Sequence, residues 1–167
     1  MAADNAFGGA TALIFDTGPL WEFILYQAVH NLRFHRLEPD LKYIQTTLQY
    51  ARLSSFIDSF AKRTTTPQVV AEVSYWIEQT EGRGRREIWG LVKDQFRNMK
   101  MDEDLVRLLD MPIETLHDFG VVDTSLLQLG LSLSYLRPTI LTIDGPLLGK
   151  CNSERLVSVH LAAVLST

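Results

Sequence analysis

A chain of 167 residues that is 46% apolar can bury one ordinary core, and it reads as a single domain over residues 11–167 behind a small, polar, flexible lead-in of residues 1–10. A formal charge of −4 and a pI near 5.5 exclude nucleic-acid binding by overall charge alone, leaving only a local basic face, and they suit a site built from carboxylates. The one cysteine, Cys151, excludes an internal disulfide and a cysteine-based zinc site. Residues 1–5 lack the basic start of a signal peptide, and Asp123, Gln128 and Arg137 interrupt the longest apolar stretch, so a cytoplasmic protein without a membrane span is expected.

Residues 12–15 are apolar without alternation and too few for a helix, which predicts a strand covered on both faces and ending at Asp16. Gly18 permits a turn, and Pro19 suits the first position of a helix whose apolar side is Trp21, Ile24, Leu25 and Ala28, over residues 20–32. A polar connection, residues 33–40, leads to a second stripe of Leu41, Ile44, Leu48 and Ala51. Phe56, Ile57 and Phe60 continue it unevenly, as one bent helix or two. Thr66 caps a helix over residues 67–79 that has Pro67 first and Glu72 in its second turn.

After a basic, glycine-broken loop at residues 81–86, a helix over residues 87–100 carries an apolar face of Trp89, Val92, Phe96 and Met99. Arg86, Lys93, Arg97 and Lys100 form an adjacent basic stripe. Residues 105–109 and 113–119 suit either a strand or a helix, and Gly120 stops whatever precedes it. From Val121 the pattern Leu126, Leu127, Leu129, Gly130 and Leu133 predicts a buried helix, ended by Pro138, with Asp123 in or just before its first turn. Residues 139–143 form a second short apolar run that stops at Asp144, Gly145 and Pro146, repeating the opening design; a weak strand at 156–160 and an apolar tail at 161–165 follow. Strands alternating with helices predict right-handed crossovers and an α/β fold with a parallel sheet covered on both sides.

Asp16, Glu72, Asp123 and Asp144 each have an ordinary explanation as a turn residue, a cap or an exposed helical acid. Together they point elsewhere. Carboxylates gathered at the ends of parallel strands repel one another unless a cation neutralises them, and an all-oxygen set suits Mg2+ or Mn2+, which usually shares its shell with a phosphate.

Four segments carry a family resemblance: the apolar run before Asp16 and Thr17; Thr66 and Pro67 leading to Glu72; Gly120 to Asp123 with Thr124 and Ser125; and Leu141, Thr142, Ile143 and Asp144. In this order, over about residues 11–160, they make the chain resemble a PIN-domain nuclease. The resemblance implies a three-layer α/β/α sandwich with a central parallel sheet, and a Mg2+- or Mn2+-dependent ribonuclease that leaves a 5′ phosphate. It implies that Asp16, Glu72, Asp123 and Asp144 hold one or two metal ions, with Asp144 positioning the second ion or the water. Thr142 would be the hydroxyl residue beside the last aspartate. Many bacterial members are toxins, which makes an antitoxin partner and a homodimer expectations as well. Residues 41–62 are longer than the corresponding segment of the small toxin members.

The basic set Arg83, Arg85, Arg86, Lys93, Arg97 and Lys100 is the candidate track for an RNA backbone, against a merely solvated face. His30, His35, His117 and His160 share no metal-binding spacing, and Trp21, Trp76 and Trp89 lie on apolar helical faces, which favours packing over base stacking. A haloacid-dehalogenase-type phosphatase would need a second aspartate where Gly18 stands. The remaining alternative is a PIN-like module that binds RNA or protein without cleavage.

Overall fold

The computed structural model describes residues 10–80 and 84–166. Residues 1–9 of the expected lead-in and Arg83 of the basic loop lie outside the described residues, and Ala10 is already buried in the core. The order is β1 (Ala12–Phe15), α1 (Thr17–His30), a 3-10 turn (His35–Asp40), α2 (Thr47–Asp58), β2 (Lys62–Thr65), α3 (Pro67–Glu78) and α4 (Gly84–Asn98). The chain continues through β3 (Met101–Glu103), a 3-10 turn (Leu108–Asp110), α5 (Ile113–Ser132), a third such turn (Ser134–Leu136), β4 (Thr139–Thr142), α6 (Gly145–Ser153), β5 (Val157–His160) and α7 (Leu161–Ser166).

All five strands run parallel, in the order β3-β2-β1-β4-β5, with helices on both faces, the three-layer α/β/α sandwich expected. The four residues of β1 are all fully buried, as a central strand packed on both sides requires. Ile14 sits between Thr64 of β2 and Ile140 of β4. The chain leaves β1 toward β2 and β3 and later returns to the other side of β1 as β4 and β5. The topological switch point therefore falls between the carboxyl ends of β1 and β4, where open parallel sheets place their ligands. Among the described residues, no helix is long and apolar enough to cross a membrane.

Several local expectations are corrected. α1 begins at Thr17, so Asp16 is its N-cap and Pro19 stands in its first turn rather than at its start. α2 begins at Thr47 behind a capping box of Thr46 and Gln49, and Leu48 and Ala51 of the expected stripe are exposed while Leu53 and Ile57 face the core. The basic segment joins α4 from Gly84 onward, and residues 113–119 are the first part of α5, bent at Gly120, which alone among its described residues leaves helical geometry, at φ 78° and ψ 178°. Two strands had no apolar signature. β2 reads Lys62, Arg63, Thr64, Thr65; its two threonines are fully buried because their hydroxyls donate to Asp104 Oδ2 and the Asp102 carbonyl, and to the Phe15 carbonyl. β3 is an edge strand whose Asp102 and Glu103 are exposed, a charged edge that discourages further pairing.

Candidate active site at the carboxyl ends of β1 and β4

Asp16 ends β1 and caps α1. Its Oδ1 accepts the Thr17 backbone N–H at 2.6 Å, and its Oδ2 accepts the Thr142 hydroxyl at 2.5 Å, across the switch point. The Thr142 oxygen in turn accepts the Asp144 backbone N–H at 2.9 Å, so one buried hydroxyl ties the end of β1 to the turn after β4. Asp144 caps α6, accepting the Leu147 N–H at 2.7 Å. The Thr17 hydroxyl donates to Glu72 Oε2 at 2.6 Å, which draws the second turn of α3 to the start of α1. Asp123 follows the bend at Gly120, half-buried, one residue before Thr124 and Ser125, both fully buried. Ser125 shares a 2.8 Å hydrogen bond with Thr66, the cap of α3, and so fixes Asp123's helix against Glu72's.

The charges of the four acids act on one another. Burial pushes the Asp16 carboxyl up to about 6; the Thr142 and Thr17 hydrogen bonds pull it down, and the charges of Glu72 and Asp144 raise it further. Burial also pushes Asp123 up to about 7, with Asp16, Asp144 and Glu72 all adding to the rise. Cys151, fully buried nearby, is held up at about 11 first by burial and then partly by Asp123 and Asp16, which makes it an inert thiol.

No family model, curated protein or solved structure matches the chain. The reading of the site therefore rests on its own chemistry.

Hydrogen bonds join three of the five residues expected at the centre, Asp16, Thr142 and Asp144; Glu72 reaches them through Thr17, and Asp123 through charge alone. The donor set is all oxygen and rich in negative charge, which fits a hard divalent cation. Among the described residues, however, no three acids, histidines or cysteines converge closely enough to hold one ion as they stand. Each Asp16 oxygen carries a second lone pair beyond the hydrogen bond it accepts, so the existing bonds do not block coordination. The residues fit the ion in kind; ligation would draw them closer.

Of the basic set, Arg85, Arg86, Lys93, Arg97 and Lys100 are exposed along α4 and just after it, while Arg83 is outside the described residues. Arg97 pairs with Asp94 at 2.9 Å, and Arg85 Nε donates to the Thr80 carbonyl at 2.7 Å. Trp21 and Trp89 pack partly against the core as expected, whereas Trp76 meets Trp21 edge-on, with ring centroids 5.8 Å apart, in the wall of a cavity that Gly18 and Ile143 also line.

Three residues escaped the sequence reading. Thr17 links Asp16's helix to Glu72; a hydroxyl directly after a strand-end aspartate was the available signal. Glu22, buried in α1, accepts the backbone N–H groups of Lys42, Tyr43 and Ile44, pinning the segment that follows the first 3-10 turn. His160, at the end of β5, accepts the Ala162 N–H on Nδ1, which leaves Nε2 to donate to the Ile143 carbonyl at 3.2 Å, between Thr142 and Asp144. Spacing in sequence carries no trace of either contact.

Proposed function

We propose that the protein is a metal-dependent ribonuclease of the PIN type, hydrolysing phosphodiester bonds of RNA at the ends of β1 and β4. The observation that carries this reading is the approach of four carboxylates from four separate segments, where burial first and the charges of the neighbouring acids after it raise Asp16 to about 6 and Asp123 to about 7. A fold does not gather such charge without a counterion or a proton, and a phosphate-bearing substrate brings none of the positive charge itself. Asp16, Glu72, Asp123 and Asp144 would hold one or two Mg2+ or Mn2+ ions. When bound, such an ion lowers the pKa of a coordinated water and offsets charge on the phosphoryl group. Thr142 orients Asp16 and the Asp144 turn at once, and Thr17 orients Glu72.

The test is cleavage of a labelled single-stranded RNA with Mn2+, with Mg2+ and with EDTA, alongside thermal melting with and without Mn2+. The expected result is metal-dependent cleavage that Asp16→Asn reduces by at least about 100-fold, together with a higher midpoint in Mn2+, since a ligand held only by the folded state stabilises it. No cleavage and no rise at millimolar Mn2+ would leave a PIN-like binding module. Assignment as a toxin, with an antitoxin partner and a homodimer, is a narrower proposal tested by sizing the purified chain and by co-purification with the product of any neighbouring reading frame.

A further inference from the structure

Among the described residues ten large apolar side chains are exposed, and four of them fall between residues 105 and 113 while the other six are scattered along the chain. The four are Leu105, Leu108, Leu109 and Ile113, at 74%, 63%, 92% and 79% exposure. Scattered apolar residues on a surface are ordinary, but a concentration of them marks a surface that another molecule covers. Val106 and Met111, between the four, are buried and anchor the stretch to the core. The turn that carries Leu108 and Leu109 is clamped at its base, where Arg107 donates to both oxygens of Asp110 at 2.8 and 2.9 Å. Gln68 of α3 donates through Nε2 to the Val106 carbonyl at 3.1 Å, and the Thr64 hydroxyl of β2 donates to Asp104 at 2.8 Å. The leucines are thus presented in a fixed arrangement, which lowers the ordering cost of binding.

The rim of this patch carries one sign of charge. Residues 102–118 hold six acids, Asp102, Glu103, Asp104, Asp110, Glu114 and Asp118, against one arginine, Arg107. Arg107 is matched to Asp110, Lys62 of β2 reaches Asp104 at 2.8 Å and Asp102 at 4.0 Å, and His117 lies beside Asp118. Glu103 and Glu114 are exposed and meet no cation among the described residues. That sign repels RNA and anionic lipid, and it sets acid against acid if two copies meet patch to patch. The chain's own basic helix, α4, turns Ile88 and Val92 into the core and has no apolar face to offer a second copy. The strand β3 ends at Glu103, before the patch, so an extended peptide would find no strand edge to pair with there, whereas a helix satisfies its own backbone. We propose that residues 105–113 are the docking surface for a basic amphipathic helix of a partner protein. Its apolar face covers Leu105, Leu108, Leu109 and Ile113, and its Lys and Arg side chains meet Glu103 and Glu114. None of the four acids of the centre takes part, so the surface stands whether or not the protein cleaves RNA.

The experiment measures, by fluorescence anisotropy in EDTA, binding of the whole chain to a fluorescein-labelled amphipathic helical peptide of leucine and lysine. Two further peptides have the same composition scrambled so that no apolar face forms, and the same pattern with glutamate in place of lysine. The expected result is that the wild type binds the first peptide at least about 10-fold more tightly than either of the others, and that Leu109→Asp and Ile113→Asp, both at side chains that face water, lose that advantage with unchanged thermal midpoints. These variants add negative charge, so a peptide held by acids elsewhere, those of the centre included, would bind them as well as it binds the wild type; that result overturns the surface. Glu103→Lys combined with Glu114→Lys reverses the preference toward the leucine–glutamate peptide, a swap that loss of folding cannot produce. Equal binding of the scrambled peptide, no binding of any peptide, or an unchanged preference in the double variant also overturns the proposal. So does co-sedimentation of the wild type, but not of Leu109→Asp, with phosphatidylcholine vesicles, which would make the patch a lipid contact.

Discussion

Asp16→Asn replaces a buried acid by a neutral residue of the same shape, and its consequence for stability can be worked from the folded state. The carboxyl rises from 3.8 to about 6 chiefly because it is buried, at 6% exposure. A group whose folded pKa is raised binds its proton more tightly folded than unfolded. Its contribution to stability is therefore complete below pH 3.8 and is lost as pH rises to about 6. The difference corresponds to about 3 kcal/mol by pH 8. Asparagine carries no such cost, but it loses one hydrogen bond: one of its two atoms can only donate, and the Thr142 oxygen it would meet already accepts from Asp144, which strands the Thr142 proton, at about 1 kcal/mol. The metal-free variant should then be more stable than wild type by about 2 kcal/mol at pH 8, and equal or slightly less stable at pH 4. For a chain of this size that is a midpoint about 4–8 °C higher at pH 8. Thermal melts followed by circular dichroism in EDTA at the two pH values measure it. A variant no more stable than wild type at pH 8, or a gap that does not change with pH, refutes the argument that burial of this charge strains the fold.

Gly120→Ala asks an alanine to adopt φ 78° and ψ 178°, a region open in practice only to glycine, so urea unfolding should show a loss of about 1–3 kcal/mol although there is space for the methyl group. An unchanged midpoint would mean that the bend ahead of Asp123 relaxes freely. Gly18→Ala places its methyl 2.5 Å from Ile143 and should cost about 1–3 kcal/mol, mostly recovered in the double variant with Ile143→Ala. Additive losses in that cycle would place the strain elsewhere.

The parts of the fold legible in the sequence are those where burial alone decides the residue. β1 and β4 lie at the centre of the sheet, and their apolar runs announce both strand and terminal aspartate. β2 lies just as centrally on the other side of β1, but its threonines are compatible with burial only because Asp104, the Asp102 carbonyl and the Phe15 carbonyl accept their hydroxyl protons, and those partners are known only after folding. The candidate site divides the same way. Asp16, Asp123 and Asp144 follow patterns that place them, and Glu72 follows from Pro67; Thr17, Glu22 and His160 act through single contacts between distant segments that no periodicity encodes. The sequence suggests a turn at Gly18 and a helix start at Pro19, but the Asp16 cap starts the helix two residues earlier, at Thr17, and Gly18 sits against the Ile143 side chain.

The hydrogen bond between Thr142 and Asp16 joins residues 126 positions apart. A nascent chain carries Asp16 well before Thr142, so until residue 142 is made the first strand has neither its neighbour β4 nor the hydroxyl that orients its acid. Contacts of such long sequence separation form late and slowly. Any activity this centre has is thereby withheld until β4 is made, and a product truncated before residue 139 should lack Thr142, Asp144 and with them the link between the ends of β1 and β4.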